Sequence, residues 1–281
     1  MFPLDIALES LVRAALEEDI GAGDLTTTST VDAHARCRVR LVAKAAGVLS
    51  GMHPFRLAFE LLQANVEHWE ARHDGDRLDS GDIAAAFTGK TRAVLTAERT
   101  ALNFLQHLSG VATETARYTA ALTGLPCKIC DTRKTTPLFR HLEKAAVLHG
   151  GGMNHRHRLD SGMLIKENHI TAAGGIAPAV ARARQRAHLL QRVEVEVTNL
   201  DEFEQALATG ADVIMLDNMP LEMMAEAARR AKSHKVLLEA SGNATLDRVR
   251  AMAETGVDFI SVGALTHSAP ALDFSLLIET C

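Results

Sequence analysis

The sequence predicts an α/β protein: an atypical, incomplete (β/α) barrel of about six strands, preceded by a smaller α+β domain. Three observations carry this reading. From about residue 125, six short apolar runs at 126–131, 162–166, 192–198, 212–217, 235–240 and 258–263 alternate with helical stretches. Polar residues gather at the carboxyl ends of these runs, at Asp131, Lys166, Glu196, Asp217, Ser241 and Gly263. In a (β/α) barrel that end is where active sites are built. The first hundred residues have another rhythm, with β-like runs on either side of a helix. Six strands fall short of the usual eight, and the pattern alone also admits an open doubly wound sheet.

Each element has its own warrant. Ile6, Leu8, Leu11, Val12, Ala15 and Leu16 recur at helical spacing over 6–18, and GAGD at 21–24 stops that helix. Residues 36–49 and 82–95 read as β-like, with a helix near 54–64 between them. Next, Leu95, Leu102, Leu105 and Val111 make an apolar helical stripe, while Arg99, Asn103 and Gln106 share the polar face. Helical stretches at 137–149, 200–210, 220–233 and 244–256 separate the later strands, as expected for parallel strands joined by right-handed crossovers. Glu196, Asp217, Glu239 and Ser261 follow one another at intervals of 21 or 22 residues. The expected domains are residues 1–112, with 270–281 packing back on them, and a barrel-like domain over 113–269.

Composition narrows the function. The formal net charge is −5 and there is no extended basic stripe, which argues against a nucleic-acid partner. No apolar run approaches the roughly 18–20 residues that span a bilayer, so no membrane association is expected. The first residues carry acids where a signal peptide needs lysines, which gives a cytoplasmic expectation. Cys37, Cys127, Cys130 and Cys281 suggest no disulfide framework. Cys127 and Cys130 have CxxC spacing, but no second Cys/His pair stands at zinc-finger distance, so they read as buried strand thiols.

Residues 131–169 are the exception to the acidic balance. Seven basic residues (Arg133, Lys134, Arg140, Lys144, Arg156, Arg158, Lys166) and five of the thirteen histidines fall here. A cationic cluster in an acidic chain points to a local anion site. Arginine suits carboxylates because its planar fork reaches both oxygens, whereas Lys134 and Lys166 are point charges suited to a pyrophosphate or a carboxylate edge. Glu194 shares strand parity with Glu196, so both face the same side. Gly150, Gly151 and Gly152 lack dinucleotide-fingerprint spacing and instead let the backbone approach a ligand or bend the chain into Asn154-His155-Arg156.

DTRKTTP, GGGMNHR and LIKENH resemble signature stretches of the quinolinate phosphoribosyltransferase family. So do ALEEDIGAGDLTT (15–27), ERTALNFLQHLSGVAT (98–113), EVEVTNLDE (194–202), VIMLDNM (213–219), LEASGN (238–243) and VDFISVGALTHSAPALDFSL (257–276). Their number and order make the resemblance specific, and it favours the barrel over the open sheet. Intact DTRKTT, NHR and LIKENH separate the chain from phosphoribosyltransferase-like proteins associated with molybdenum uptake.

The resemblance implies condensation of quinolinate with 5-phosphoribosyl 1-pyrophosphate, releasing pyrophosphate and CO2. It implies Arg133 and Arg156 as quinolinate clamps, with Thr132 and His155 nearby, and Lys134, Lys166, Glu196 and Asp217 as catalytic groups. Glu196 and Asp217 would meet the ribose hydroxyls and Mg²⁺, directly or through water. Ser241, Gly242, Asn243, Gly263 and Ala264 would bind phosphate through backbone N–H groups at the start of helices, with His267 as a further donor. Arg99 matches an arginine that reaches into the partner subunit's site, implying a homodimer with shared sites and room for higher assembly. Leu138 and Arg158 stand where the family commonly has glycine, and Thr198 replaces a usual acid.

Overall fold

A computed structural model describes residues 3–280. In chain order the elements begin α1 (Pro3–Ile20), α2 (Leu25–Thr30), β1 (Arg36–Ala43), β2 (Gly47–Val48), α3 (Met52–Leu61), β3 (Glu67–Ala71), β4 (Arg77–Leu78), β5 (Ile83–Lys90) and α4 (Thr91–Ala121). There follow β6 (Lys128–Cys130), α5 (Arg140–His149), β7 (Met163–Ile165), α6 (Glu167–Ala173), α7 (Ile176–Arg186), β8 (Val193–Val197) and α8 (Leu200–Ala208). The chain continues with β9 (Val213–Asp217), α9 (Leu221–Ala231), β10 (Leu237–Ser241), α10 (Val249–Glu254), β11 (Phe259–Ser261), α11 (Ala264–His267) and β12 (Phe274–Thr280). Two compact units result. One takes the chain up to Glu114, Pro137–Gly151 and the chain from Ala269 on; the other takes Thr115–Thr136 and Gly152–Ser268.

In the first unit, β12-β1-β5-β3 form an antiparallel sheet. Leu41 of β1 stands between Leu276 of β12 and Ala85 of β5, and all three are buried. Phe55, Phe59, Phe87 and Leu105 complete a core in which Phe59 meets both Phe55 and Phe87 at 5.1 Å between ring centroids. Asp24 does two jobs in the GAGD stop: it follows the glycine turn and caps α2, accepting from the Thr27 N–H at 2.9 Å. The β-like reading of 82–95 runs too far. The strand ends at Lys90, because Val94, Ala97, Ala101 and Leu105 set a buried helical period that starts α4 at Thr91.

The second unit is a parallel six-stranded sheet in the order β6-β11-β10-β9-β8-β7. Consecutive strands are neighbours from β7 to β11, and β6, the first made, lies beside β11, the last. A doubly wound sheet would reverse its strand order at a switch point. This order is instead the cyclic order of a barrel with no ladder between β6 and β7. β8 explains the layering: Val193, Val195 and Val197 are buried on one side, while Glu194 and Glu196 alternate onto the other. Cys127 and Cys130 are buried and free. Burial and then Asp258 push the Cys127 thiol up to about 12; burial and then Glu239 push that of Cys130 higher still. Such thiols are poor nucleophiles and poor metal ligands at neutral pH. Cys281 lies outside the described residues.

Candidate active site

A cavity of about 650 Å³ opens at the carboxyl ends of the six strands. The turn after β6 supplies Thr132, Arg133 and Lys134, folded tightly because the Lys134 N–H donates to Thr132 Oγ1 at 3.0 Å. The segment before β7 supplies His155 and Arg156, and the end of β7 supplies Lys166. Glu196 comes from β8, Asp217 from β9, and Ser241, Gly242 and Asn243 from β10 and its turn. Eleven residues expected from the sequence therefore line one space.

The cations and acids are already organised. Lys166 Nζ lies 2.9 Å from Glu196 Oε2. Arg156 Nη1 donates to the Gly162 carbonyl at 3.0 Å. Burial, then the neighbouring positive charge of Arg133, lowers the Arg156 pKa below the ordinary guanidinium value. Two arginines held close enough to repel each other mark a place for an anion. Asp217 Oδ2 accepts from Asn218 Nδ2 at 3.0 Å, and Asn218 Oδ1 accepts from Asn243 Nδ2 at 3.1 Å. Asn218 thus ties the β9 acid to the turn after β10. Gly242, at φ +88°, is required there, since a Cβ would collide with the Asn218 amide.

Beneath these groups lies a buried acidic network. His155 Nε2 lies 3.0 Å from Glu194 Oε2 and 3.3 Å from Glu239 Oε2. Ser261 Oγ donates to Glu239 Oε1. The His155 N–H donates to Asp131 Oδ1 at 2.8 Å, and Asn154 Nδ2 donates to Asp131 Oδ2 at 2.6 Å. Burial opposes a charge on His155, whereas its hydrogen bonds to the Glu194 and Glu239 carboxylates favour one. The Arg156 N–H acts the other way: it donates to His155 Nδ1 at 2.8 Å, and a proton on Nδ1 would set two N–H groups face to face. That contact keeps Nδ1 bare and the proton on Nε2. Burial, with the nearby Glu239 charge, raises Glu194.

Some expected residues lie elsewhere. Gly263, Ala264 and His267 do not line the cavity, although a Cβ on Gly263 would stand 3.2 Å from Lys134 Cδ. Gly242 and Asn243 do not begin a helix, for α10 starts only at Val249. Arg99 is exposed on α4 in the other unit. Arg158 is exposed, 3.6 Å from Asp160, and Thr198 bonds Glu202; neither lines the cavity. Leu138 is 86% exposed at φ +66°. Asp131, Asn218, Glu239 and Ser261 line the cavity without having been singled out for a role. The Asp-Asn pair at the end of β9 was the available signal for Asn218.

Comparison with known proteins agrees with this geometry. The profile described as "Quinolinate phosphoribosyl transferase, C-terminal domain" matches residues 111–277, and that of the N-terminal domain matches residues 24–109. A probable nicotinate-nucleotide pyrophosphorylase [carboxylating] of Bacillus subtilis is 42% identical over 271 residues, covering 96% of this chain and 93% of the relative. The nicotinate-nucleotide pyrophosphorylase [carboxylating] of Mycobacterium leprae is 40% identical over 276 residues, covering 96% of each. The crystal structure of NadC from Streptococcus pyogenes superposes with a TM-score of 0.93 at 43% identity, covering 100% of this chain and 99% of that one. Both profiles together cover most of the chain, and its motifs converge in one cavity: it belongs to the quinolinate phosphoribosyltransferase family.

Proposed function

We propose that this protein joins quinolinate to 5-phosphoribosyl 1-pyrophosphate, yielding nicotinate mononucleotide, pyrophosphate and CO2 in NAD biosynthesis. One observation supports the reading above others: Arg133, Lys134, Arg156 and Lys166 share a cavity with Glu196 and Asp217. A site for a polyanion alone gains nothing from two acids, which repel the ligand. The acids are useful where positive charge develops during reaction.

The roles follow from charge. Arg133 and Arg156 hold the ring carboxylates, with Thr132 beside them, and Lys134 and Lys166 meet the pyrophosphate. As the C1–oxygen bond to pyrophosphate breaks, its electron pair leaves with the oxygen and the ribose becomes oxocarbenium-like. Glu196 and Asp217 stabilise that charge. The pyridine nitrogen then supplies the pair for the C1–N bond and becomes cationic. The adjacent carboxylate departs as CO2, its bonding pair staying on the ring carbon, which takes a proton from water. Positioning and preorganised charge do most of the work.

The same two acids suit Mg²⁺, a hard cation that prefers oxygen ligands and keeps several waters. Each spends one oxygen on a partner within the chain, Lys166 or Asn218, and makes no other hydrogen bond among the described residues. They would hold the ion directly or through water. When bound, the ion neutralises charge on the leaving pyrophosphate. The Ser241–Asn243 turn, with Gly263, Ala264 and His267 beyond Lys134, is the side for the ribose phosphate.

The exposed position of Arg99 supports its role as the residue lent to a second subunit, and hence a homodimer with shared sites. The cytoplasm is the compartment that suits a substrate whose phosphate charges bar it from crossing bilayers unaided. The test is direct. Purified protein with both substrates and Mg²⁺ should form nicotinate mononucleotide and CO2 in equal amounts. Absence of both products would overturn the reading.

A further inference from the structure

The groups under the cavity floor remain without a role in the reaction above. Among them, His155 reaches the substrate space with a side chain that is 16% exposed. Its ring is fully engaged by the protein. Nε2 faces Glu194 and Glu239, the latter held by Ser261, and Nδ1 accepts the Arg156 amide. No ring N–H is left over to point at a ligand carboxylate. His155, Arg156 and Glu239 also line a second cavity of about 230 Å³ behind the first, so they form a partition between the two.

We propose that His155 is a positioning residue and not a substrate ligand. Glu194 and Glu239 clamp one edge of its ring, and the other edge holds the backbone of Arg156 so that the guanidinium stands at the cavity. Three parts of the fold act on one arginine. The main chain at 155 is pinned by Asp131 after β6, the ring is pinned by acids from β8 and β10, and the guanidinium is pinned by Gly162 O. Removing the ring's acceptor lets Arg156 shift. A displacement near one ångström at a binding or reacting group typically costs about 10- to 100-fold. The inference rests on the functional reading only in naming quinolinate as the carboxylate that Arg156 meets.

Two isosteric variants separate this role from direct contact. Asparagine at 155 places an oxygen near the position of Nδ1 and keeps an acceptor for the Arg156 amide. Glutamine places its amide near Nε2 and lacks that acceptor. His155→Asn should therefore hold quinolinate within about threefold of wild type, while His155→Gln weakens it roughly 10- to 100-fold with KM for the second substrate unchanged. Calorimetric titration and steady-state kinetics read both. The reverse pattern, with Gln restoring affinity and Asn failing, would overturn the proposal in favour of a direct contact through Nε2.

Nitrogen NMR of wild-type His155 supplies a readout that needs no activity. A bare Nδ1 and a protonated Nε2, unchanged by quinolinate, are expected; a proton on Nδ1 overturns the proposal. This measurement decides the matter if neither variant binds. The same histidine and two glutamates could also ligate a metal, their donor atoms lying within 4.8 Å of one another. Stoichiometric metal in purified wild type that Glu239→Gln loses would likewise overturn the proposal. If wild type binds no quinolinate, the functional reading fails, while the nitrogen spectrum still tests the His155 clamp.

Discussion

Lys166 Nζ and Glu196 Oε2 stand 2.9 Å apart, joining the end of β7 to its neighbour β8. The lysine is half exposed and the acid largely buried. On the proposed mechanism, an arriving phosphate would compete with Glu196 for Lys166 and release the acid toward the sugar. This exchange makes the two strand-end carboxylates separable from mere structural ion pairing.

Glu196→Gln and Asp217→Asn keep shape but remove charge. Each should leave the fold intact by circular dichroism and lower kcat by about 100- to 1,000-fold, with smaller changes in KM. Unchanged turnover at saturating substrates would make the acids structural.

Arg133→Ala and Arg156→Ala should each weaken quinolinate by about 2–5 kcal/mol, or roughly thirty- to several-thousand-fold. Burial and then repulsion from Arg133 lower the Arg156 pKa, and an anion that relieves the repulsion adds a thermal signature. Quinolinate should raise the melting temperature of wild type more than that of either variant. Near-wild-type affinity in both variants would remove them from the site.

The shared site can be tested by complementation. Arg99→Ala and Lys166→Ala homodimers should be nearly inactive. Unfolded together and refolded in equal amounts, they give about half heterodimers, each with one doubly damaged and one intact site. About a quarter of wild-type activity should return. No recovery, with heterodimers detected by mass spectrometry of tagged chains, would mean that Arg99 does not act across subunits.

Leu138 carries the cost of a left-handed backbone, about 1–2 kcal/mol for an L-residue, and its exposed side chain recovers little by burial. Leu138→Gly removes that strain but enlarges the freedom of the unfolded chain. The net expectation is a gain below about 1 kcal/mol, a rise in Tm of roughly 1–3 °C by calorimetry. A lower Tm would show that the added freedom of the unfolded chain outweighs the relief of backbone strain.

The strands of the second unit were legible because each is a short apolar run closed by a polar residue. Val213–Asp217 and Leu237–Ser241 have both signals. β3 and β12 were not legible as strands, for different reasons. β3 is polar, with His68 at positive φ and a register shift, so its alternation is broken. β12 owes its definition to a ladder with β1, a partner no local pattern can indicate. Helices α6 and α7 were missed in a stretch of alanines, glycines and arginines without a clean apolar stripe. Cavity residues were legible where charge and turn motifs coincide, as at Arg133 and Lys166. The clamp on His155 was not, because Asp131, Glu194, Glu239 and Ser261 converge only once β6, β8, β10 and β11 share one sheet.

The pairing of β12 with β1 also sets a timetable. Arg40 and Glu279 bond across that ladder although 239 residues separate them. On the ribosome, the first sheet has strands β1, β5 and β3 in hand early, yet one flank of β1 stays open until nearly the whole chain has emerged. An unpaired β edge invites wrong partners, so β1 waits exposed through the synthesis of the entire six-stranded unit. Its alternate residues Arg36, Arg38 and Arg40 lend that waiting edge a run of like charge, which discourages two nascent chains from zipping together.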